Sequence, residues 1–196
     1  MLNMAVLLSG TGRTLDNFHE KIGQGLLKAR IRVVVSNQQS ALGLEKARKY
    51  GYPAFHAEGN DAINAILKKH EVDLVCLAGF LKLYVPPAHL RRSVLNIHPS
   101  LIPAFCGAGF YGMRVHQAVK ARGVKVSGCT VHFANEEYDE GPIIVQKCVP
   151  LAGQDTAEEI AAKVFAAECE AYPEAINLVA EKGIDFFWSR QEAAAG

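Results

Sequence analysis

The sequence lacks a long apolar run, an excess of charge of either sign, a paired set of cysteines and any low-complexity tract. Each absence removes a class of function. Met1 to Leu8 is apolar but far short of the roughly 20 residues that span a bilayer. It has no basic flank and runs straight into Ser9-Gly10-Thr11-Gly12, so it reads as a first strand and not as a leader or anchor. Lys and Arg number 21 against 20 Asp and Glu, which leaves no net field to draw nucleic acid or an anionic membrane. The five cysteines, Cys76, Cys106, Cys129, Cys148 and Cys169, are odd in number and contain no CxxC pair. Neither a disulfide framework nor a thiolate zinc site is indicated, and a reducing cytosol fits.

Several catalytic signatures are missing as well. The loop Ser9 to Thr14 does not have GxGxxG spacing, so no dinucleotide fingerprint is present. His98, His116 and His132 fit no HExxH or comparable ligand spacing, and no metal is expected. Ser9 and Ser100 lack a GxSxG elbow, and nothing marks Cys106 as an activated thiol.

What is present is the composition of a globular domain, 49% apolar and 21% charged. Apolar runs at Asn3 to Leu8, Ile31 to Ser36 and Leu74 to Ala78 alternate with stretches of helical spacing at Leu15 to Ala29, Leu42 to Tyr50 and Asp61 to His70. This alternation predicts an α/β fold: a doubly wound, mostly parallel sheet with flanking helices. Lys125 to Ala134 and Pro142 to Pro150 read as a C-terminal antiparallel strand pair, followed by a helix over Thr156 to Val179 interrupted near Pro173. One domain over 1–183 with a peripheral tail at 184–196 is expected.

Ligands of such sheets bind beyond the carboxyl ends of the strands, where strand order reverses. Three segments leave strands with unusual chemistry: Ser9 to Thr14, Gly79 to Leu83, and Leu95 to Pro103. The first is either a phosphate cradle at a helix start, with Arg13 adding charge, or a tight turn that needs glycine. In the third, Asn96 and His98 alternate with Ile97 and so point to one side of an extended backbone, ahead of the stiffening Pro99 and Pro103. An amide that can donate to an oxyanion beside an imidazole that exchanges protons suits attack on a carbonyl or formamide carbon. A carboxylate from the acidic loop Asn135 to Gly141 could orient that imidazole, but pattern alone does not choose among Glu136, Glu137, Asp139 and Glu140.

These segments together resemble the folate-dependent formyltransferases, and among them the glycinamide ribonucleotide formyltransferases, along nearly the whole chain. The landmarks are Ser9-Gly10-Thr11-Gly12, Val35-Ser36-Asn37, Leu77-Ala78-Gly79-Phe80, Asn96-Ile97-His98-Pro99-Ser100-Leu101, Gly128 to Phe133, and Asp139-Glu140-Gly141-Pro142. The resemblance implies formyl transfer from 10-formyltetrahydrofolate, a co-substrate, to the amine of 5'-phosphoribosylglycinamide in purine biosynthesis. It implies Asn96, His98 and Asp139 as catalytic residues, and so selects Asp139 from the acidic run. It also implies Gly12, Arg13, Thr14 and Glu168 as acceptor contacts. The folate would lie against Leu81, Lys82, Leu83, Tyr84, Asn96 and the loop of Asn135, Glu136, Glu137, Tyr138 and Asp139.

Three departures stand out. Arg13-Thr14 replace the family's common Ser-Asn, no arginine near Asn60 matches the one in the family's folate lobe, and the loop Phe105 to Arg114 is longer than usual. Relatives acting on tRNA carry a basic C-terminal domain, and formyl folate hydrolases an N-terminal regulatory one. A sugar-nucleotide formyltransferase, a formyltetrahydrofolate hydrolase and a non-catalytic folate binder of the same fold are the alternatives. The expected partners are small molecules, with a monomeric or homodimeric cytoplasmic protein and no nucleic acid or membrane partner.

Overall fold

Seven strands form one sheet in the computed structural model, which describes residues 1–195. They are β1 (Leu2–Leu8), β2 (Ala29–Ser36), β3 (Ala54–His56), β4 (Leu74–Leu77), β5 (Val94–His98), β6 (Val126–Phe133) and β7 (Ile143–Pro150), in the order β3-β2-β1-β4-β5-β6-β7. Strands β1 to β5 run parallel, and β6 lies antiparallel to both β5 and β7. The antiparallel part is therefore one strand wider than the expected pair. Helices α1 (Arg13–Gly23), α2 (Leu42–Lys49), α3 (Asn60–Lys69), α4 (Met113–Arg122), α5 (Ala157–Lys182) and α6 (Ile184–Ala195) cover the sheet. None of them is long and apolar enough to cross a membrane.

The period-two alternation of β1 sorts its side chains into two cores. Met4, Val6 and Leu8 pack with Leu15 and Phe18 of α1, Val115 and Val119 of α4, and Tyr172 and Ile176 of α5. Ala5 and Leu7 pack on the other face with Ile63 and Leu67 of α3. Strand order reverses between β1 and β4, and that junction is tied by three loops. Ser9 Oγ donates to Asn37 Oδ1 at 2.6 Å and accepts the Leu81 N–H at 2.9 Å.

Helix α5 runs through Pro173 without the expected break. A capping box starts it, with the Thr156 side chain accepting the Glu159 N–H and Glu159 returning to the Thr156 N–H. Pro173 and its neighbours Tyr172, Ala175 and Ile176 are all buried, and this packing offsets the ~3 kcal/mol that an interior proline costs. The elements not anticipated include the three-residue edge strand β3 and helix α4. The first helix ends at Gly23, earlier than its apolar spacing predicts, because Ala29 already belongs to β2. The segment expected as a tail forms α6, whose Phe187 joins the main core; Gly196 lies outside the described residues.

Candidate active site

Asn96 and His98 on β5 pair with His132 and Thr130 on β6, so four polar side chains share one face while Ile97 and Val131 face the helical core. The loop after Phe133 turns back over this face and delivers Asp139. Its Oδ2 lies 3.5 Å from His98 Nδ1 and its Oδ1 lies 3.5 Å from His132 Nε2. The Gly107 N–H donates to Oδ2 at 2.9 Å, bringing the glycine-rich loop to the same carboxylate. Asp139 itself has a φ of 62°, in the left-handed region.

Backbone carbonyls decide the tautomers. His98 Nε2–H donates to Phe105 O at 2.9 Å, and His132 Nδ1–H donates to Phe133 O at 2.9 Å. Each ring therefore turns its other nitrogen, His98 Nδ1 and His132 Nε2, toward Asp139. His132 Nε2 also accepts from Asn96 Nδ2 at 3.3 Å, which aims the second N–H of that amide elsewhere. Burial lowers the pKa of His98, against the opposing pull of Asp139 and of the bond to Phe105. Burial pushes Asp139 upward but is outweighed by the His132 ring, the Gly107 N–H and His98, which hold the carboxyl below its usual range. The resting site is thus an ionised Asp139 facing a His98 ring that burial keeps neutral, with His132 on its other side.

The structure brings together Asn96, His98 and Asp139, and adds His132, which the sequence offers only within a landmark segment and in a histidine set without metal-ligand spacing. Its signal lay in the β5–β6 register, which sequence alone does not display. Thr130 is a second addition: its Oγ1 donates to Ser100 O at 2.7 Å and accepts the Ile102 N–H at 3.1 Å, fixing the turn after His98.

Gly12, Arg13 and Thr14 open α1. Gly12 has a φ of 73°, and a Cβ there would lie 2.7 Å from Gly43 Cα on α2. Among the described residues no side chain caps this helix, which leaves the N–H groups of its first turn open to an anion. The Arg13 guanidinium stacks 3.6 Å from the centroid of Phe165, one turn before Glu168 on α5. Burial pushes Glu168 up to about 7, against the pull of Arg13. Arg13 and Glu168 therefore share the α1–α5 seam.

Leu81 and Leu83 are exposed beyond β4, as is Tyr138 beyond β6. Phe80 and Tyr84 pack in one apolar cluster with Ala134, so the two loops lie side by side. Tyr84 itself is buried with its hydroxyl donating to Asn64 at 2.7 Å, so only its backbone can meet a ligand. Asn135 accepts the Glu137 N–H through Oδ1 at 3.0 Å, leaving Glu136, Glu137 and Tyr138 on the outer rim. No group of three or more His, Cys, Asp or Glu among the described residues is arranged to hold a metal ion.

The sequence profile of the Formyl transferase family matches residues 2–176. The chain belongs to that family. It is 42% identical over 193 residues to the chloroplastic phosphoribosylglycinamide formyltransferase of Vigna unguiculata, covering 92% of this chain and 62% of that protein. It thus spans less than two thirds of that relative's length. The phosphoribosylglycinamide formyltransferase of Haemophilus influenzae is 36% identical, with 92% of this chain and 88% of that one covered. Among solved structures, glycinamide ribonucleotide transformylase 1 from Symbiobacterium toebii superposes with a TM-score of 0.84 at 40% identity, over 92% of this chain and 88% of that one. That superposition extends the likeness from sequence to the α/β fold described above.

Proposed function

We propose that this formyl transferase moves the formyl group of 10-formyltetrahydrofolate to the amine of 5'-phosphoribosylglycinamide, a step of purine biosynthesis. The observation that carries the reading is the cluster of half-buried Asn96 and Asp139 around buried His98, an amide, a carboxylate and an imidazole on one face of the sheet. The names of the relatives supply the acceptor. The exposed apolar Leu81, Leu83 and Tyr138, on adjoining loops, suit the flat ring system of a folate.

The folate supplies an activated formyl group. The acceptor's amine uses its lone pair to form the new C–N bond as the C=O π pair moves onto oxygen. The free N–H of Asn96 stabilises that oxygen, and the other N–H stays on His132. The proton released by the amine is taken up at His98 Nδ1 beside Asp139 and passed to the folate nitrogen as the oxyanion pair re-forms C=O and the C–N bond to the folate breaks. Gly12, Arg13 and Thr14 hold the acceptor's phosphate at the start of α1, with Glu168 on the ribosyl side. The protein works in the cytoplasm, consistent with five free thiols, as a monomer or homodimer.

His98→Ala is expected to lower kcat by about 100- to 10,000-fold, the usual weight of positioned acid–base catalysis, while leaving donor affinity nearly unchanged. Unchanged kcat would remove His98 from the chemistry. Arg13→Ala should appear instead as a raised KM for the phosphorylated acceptor.

A further inference from the structure

Helix α6 lies beyond the residues matched by the family profile, yet its contacts converge on both segments that carry the candidate catalytic groups. The rings of Phe187 and Trp188 lie 5.9 and 5.7 Å, centroid to centroid, from Phe133, where β6 ends and the Asp139 loop begins. Trp188 Nε1–H donates to Arg92 O at 3.2 Å, just ahead of β5, and Arg92 pairs with Glu192 at 2.7 Å. Gln191 Nε2–H donates to Glu140 O at 3.0 Å, one residue past Asp139.

The Asp139 loop requires outside support. A residue with a Cβ in the left-handed region costs roughly 1–2 kcal/mol and persists only where its surroundings over-determine it. On the site side the Gly107 N–H holds the carboxylate. At the base of the loop the Phe133 N–H donates to Pro142 O at 2.9 Å, and Gly141 packs so closely on the Phe133 carbonyl that a Cβ has no room. That same carbonyl sets the His132 tautomer, which in turn orients Asn96. Phe133 is therefore the hinge point of the site, and α6 packs on its ring.

We propose that α6 braces the catalytic loop, with Gln191 as a positioning residue that holds the left-handed turn at Asp139 through the Glu140 carbonyl. The brace takes its catalytic meaning from the role proposed above for Asp139. It keeps the carboxylate presented to His98 and His132 while the loop tip at Glu136 to Tyr138 stays exposed for a ligand.

The test pairs amide hydrogen exchange with steady-state kinetics on the full chain. Gln191→Ala is expected to speed exchange at Gly107 and over residues 135–141 by roughly threefold to tenfold, the weight of one hydrogen bond, and to lower kcat by a similar factor. Exchange in β1 and β4 should not change. Gln191→Lys keeps a donor able to reach Glu140 O and should restore both readouts. Wild-type exchange at Gly107 and the loop in Gln191→Ala would overturn the brace. So would faster exchange spread evenly through β1 and β4, which would make α6 a general stabiliser. Because exchange needs no substrate, it decides the brace even if the wild-type protein transfers no formyl group, a result that would overturn the reaction instead.

Discussion

Asp139 faces two imidazole rings oriented by the carbonyls of Phe105 and Phe133, and burial of this group fixes how the site responds to acid. The folded-state pKa of His98 lies below its ordinary 6.5, so folding favours the neutral ring. Stability is full above that value and declines as pH falls toward the folded one. Asp139 also lies below its ordinary 3.8, so its contribution is present above that value and is lost as pH falls through the still lower folded pKa. Melting temperature should therefore fall in two acid stages, with His98→Gln removing the upper one and Asp139→Asn the lower. A melting temperature flat from neutrality down to the carboxylate range would contradict the buried neutral His98. The alternation of Asn96 and His98 was legible in the sequence because it needs only an extended backbone. The choice of Asp139 from four carboxylates came from family resemblance, because it depends on a positive φ and a loop reversal that composition does not encode.

At the scale of elements, the buried parallel strands announced themselves as apolar runs, whereas β3 and α4 did not. Three residues are too few for periodicity to register, and α4 carries Arg114, Lys120 and Arg122 around the short buried set Val115, His116 and Val119. Proline weighed locally predicts a break at Pro173, whereas burial of Tyr172, Pro173, Ala175 and Ile176 carries α5 through it. Gly12 shows the opposite case, a local requirement with a long-range cause. Its left-handed φ and its approach to Gly43 both exclude a side chain. Gly12→Ala should destabilise the fold by about 2 kcal/mol, lowering the melting temperature by roughly 4–8 °C, and should also displace the first turn of α1. A variant as stable as wild type would show that the α1–α2 contact can relax.

For the molecule as a whole, α5 couples the sheet to the site. Tyr172 is fully buried, and its hydroxyl lies 3.0 Å from both Leu77 O and Leu95 O, sharing one proton between the ends of β4 and β5. Tyr172→Phe leaves the shape unchanged but removes the hydroxyl's bond to two carbonyls that keep their places in the β4–β5 ladder, which should cost about 0.5–1.5 kcal/mol in urea unfolding. The larger share of that loss should appear near Asn96, measurable as faster exchange along β5 than along β1. The central claim concerns what the assembled site does. Its most direct test is a steady-state assay with 10-formyltetrahydrofolate, run with 5'-phosphoribosylglycinamide, with an amino-sugar nucleotide, and with no acceptor. Release of tetrahydrofolate that depends on the ribosylglycinamide is the predicted result. Equal release without acceptor, preference for the amino sugar, or no release in any of the three would contradict it.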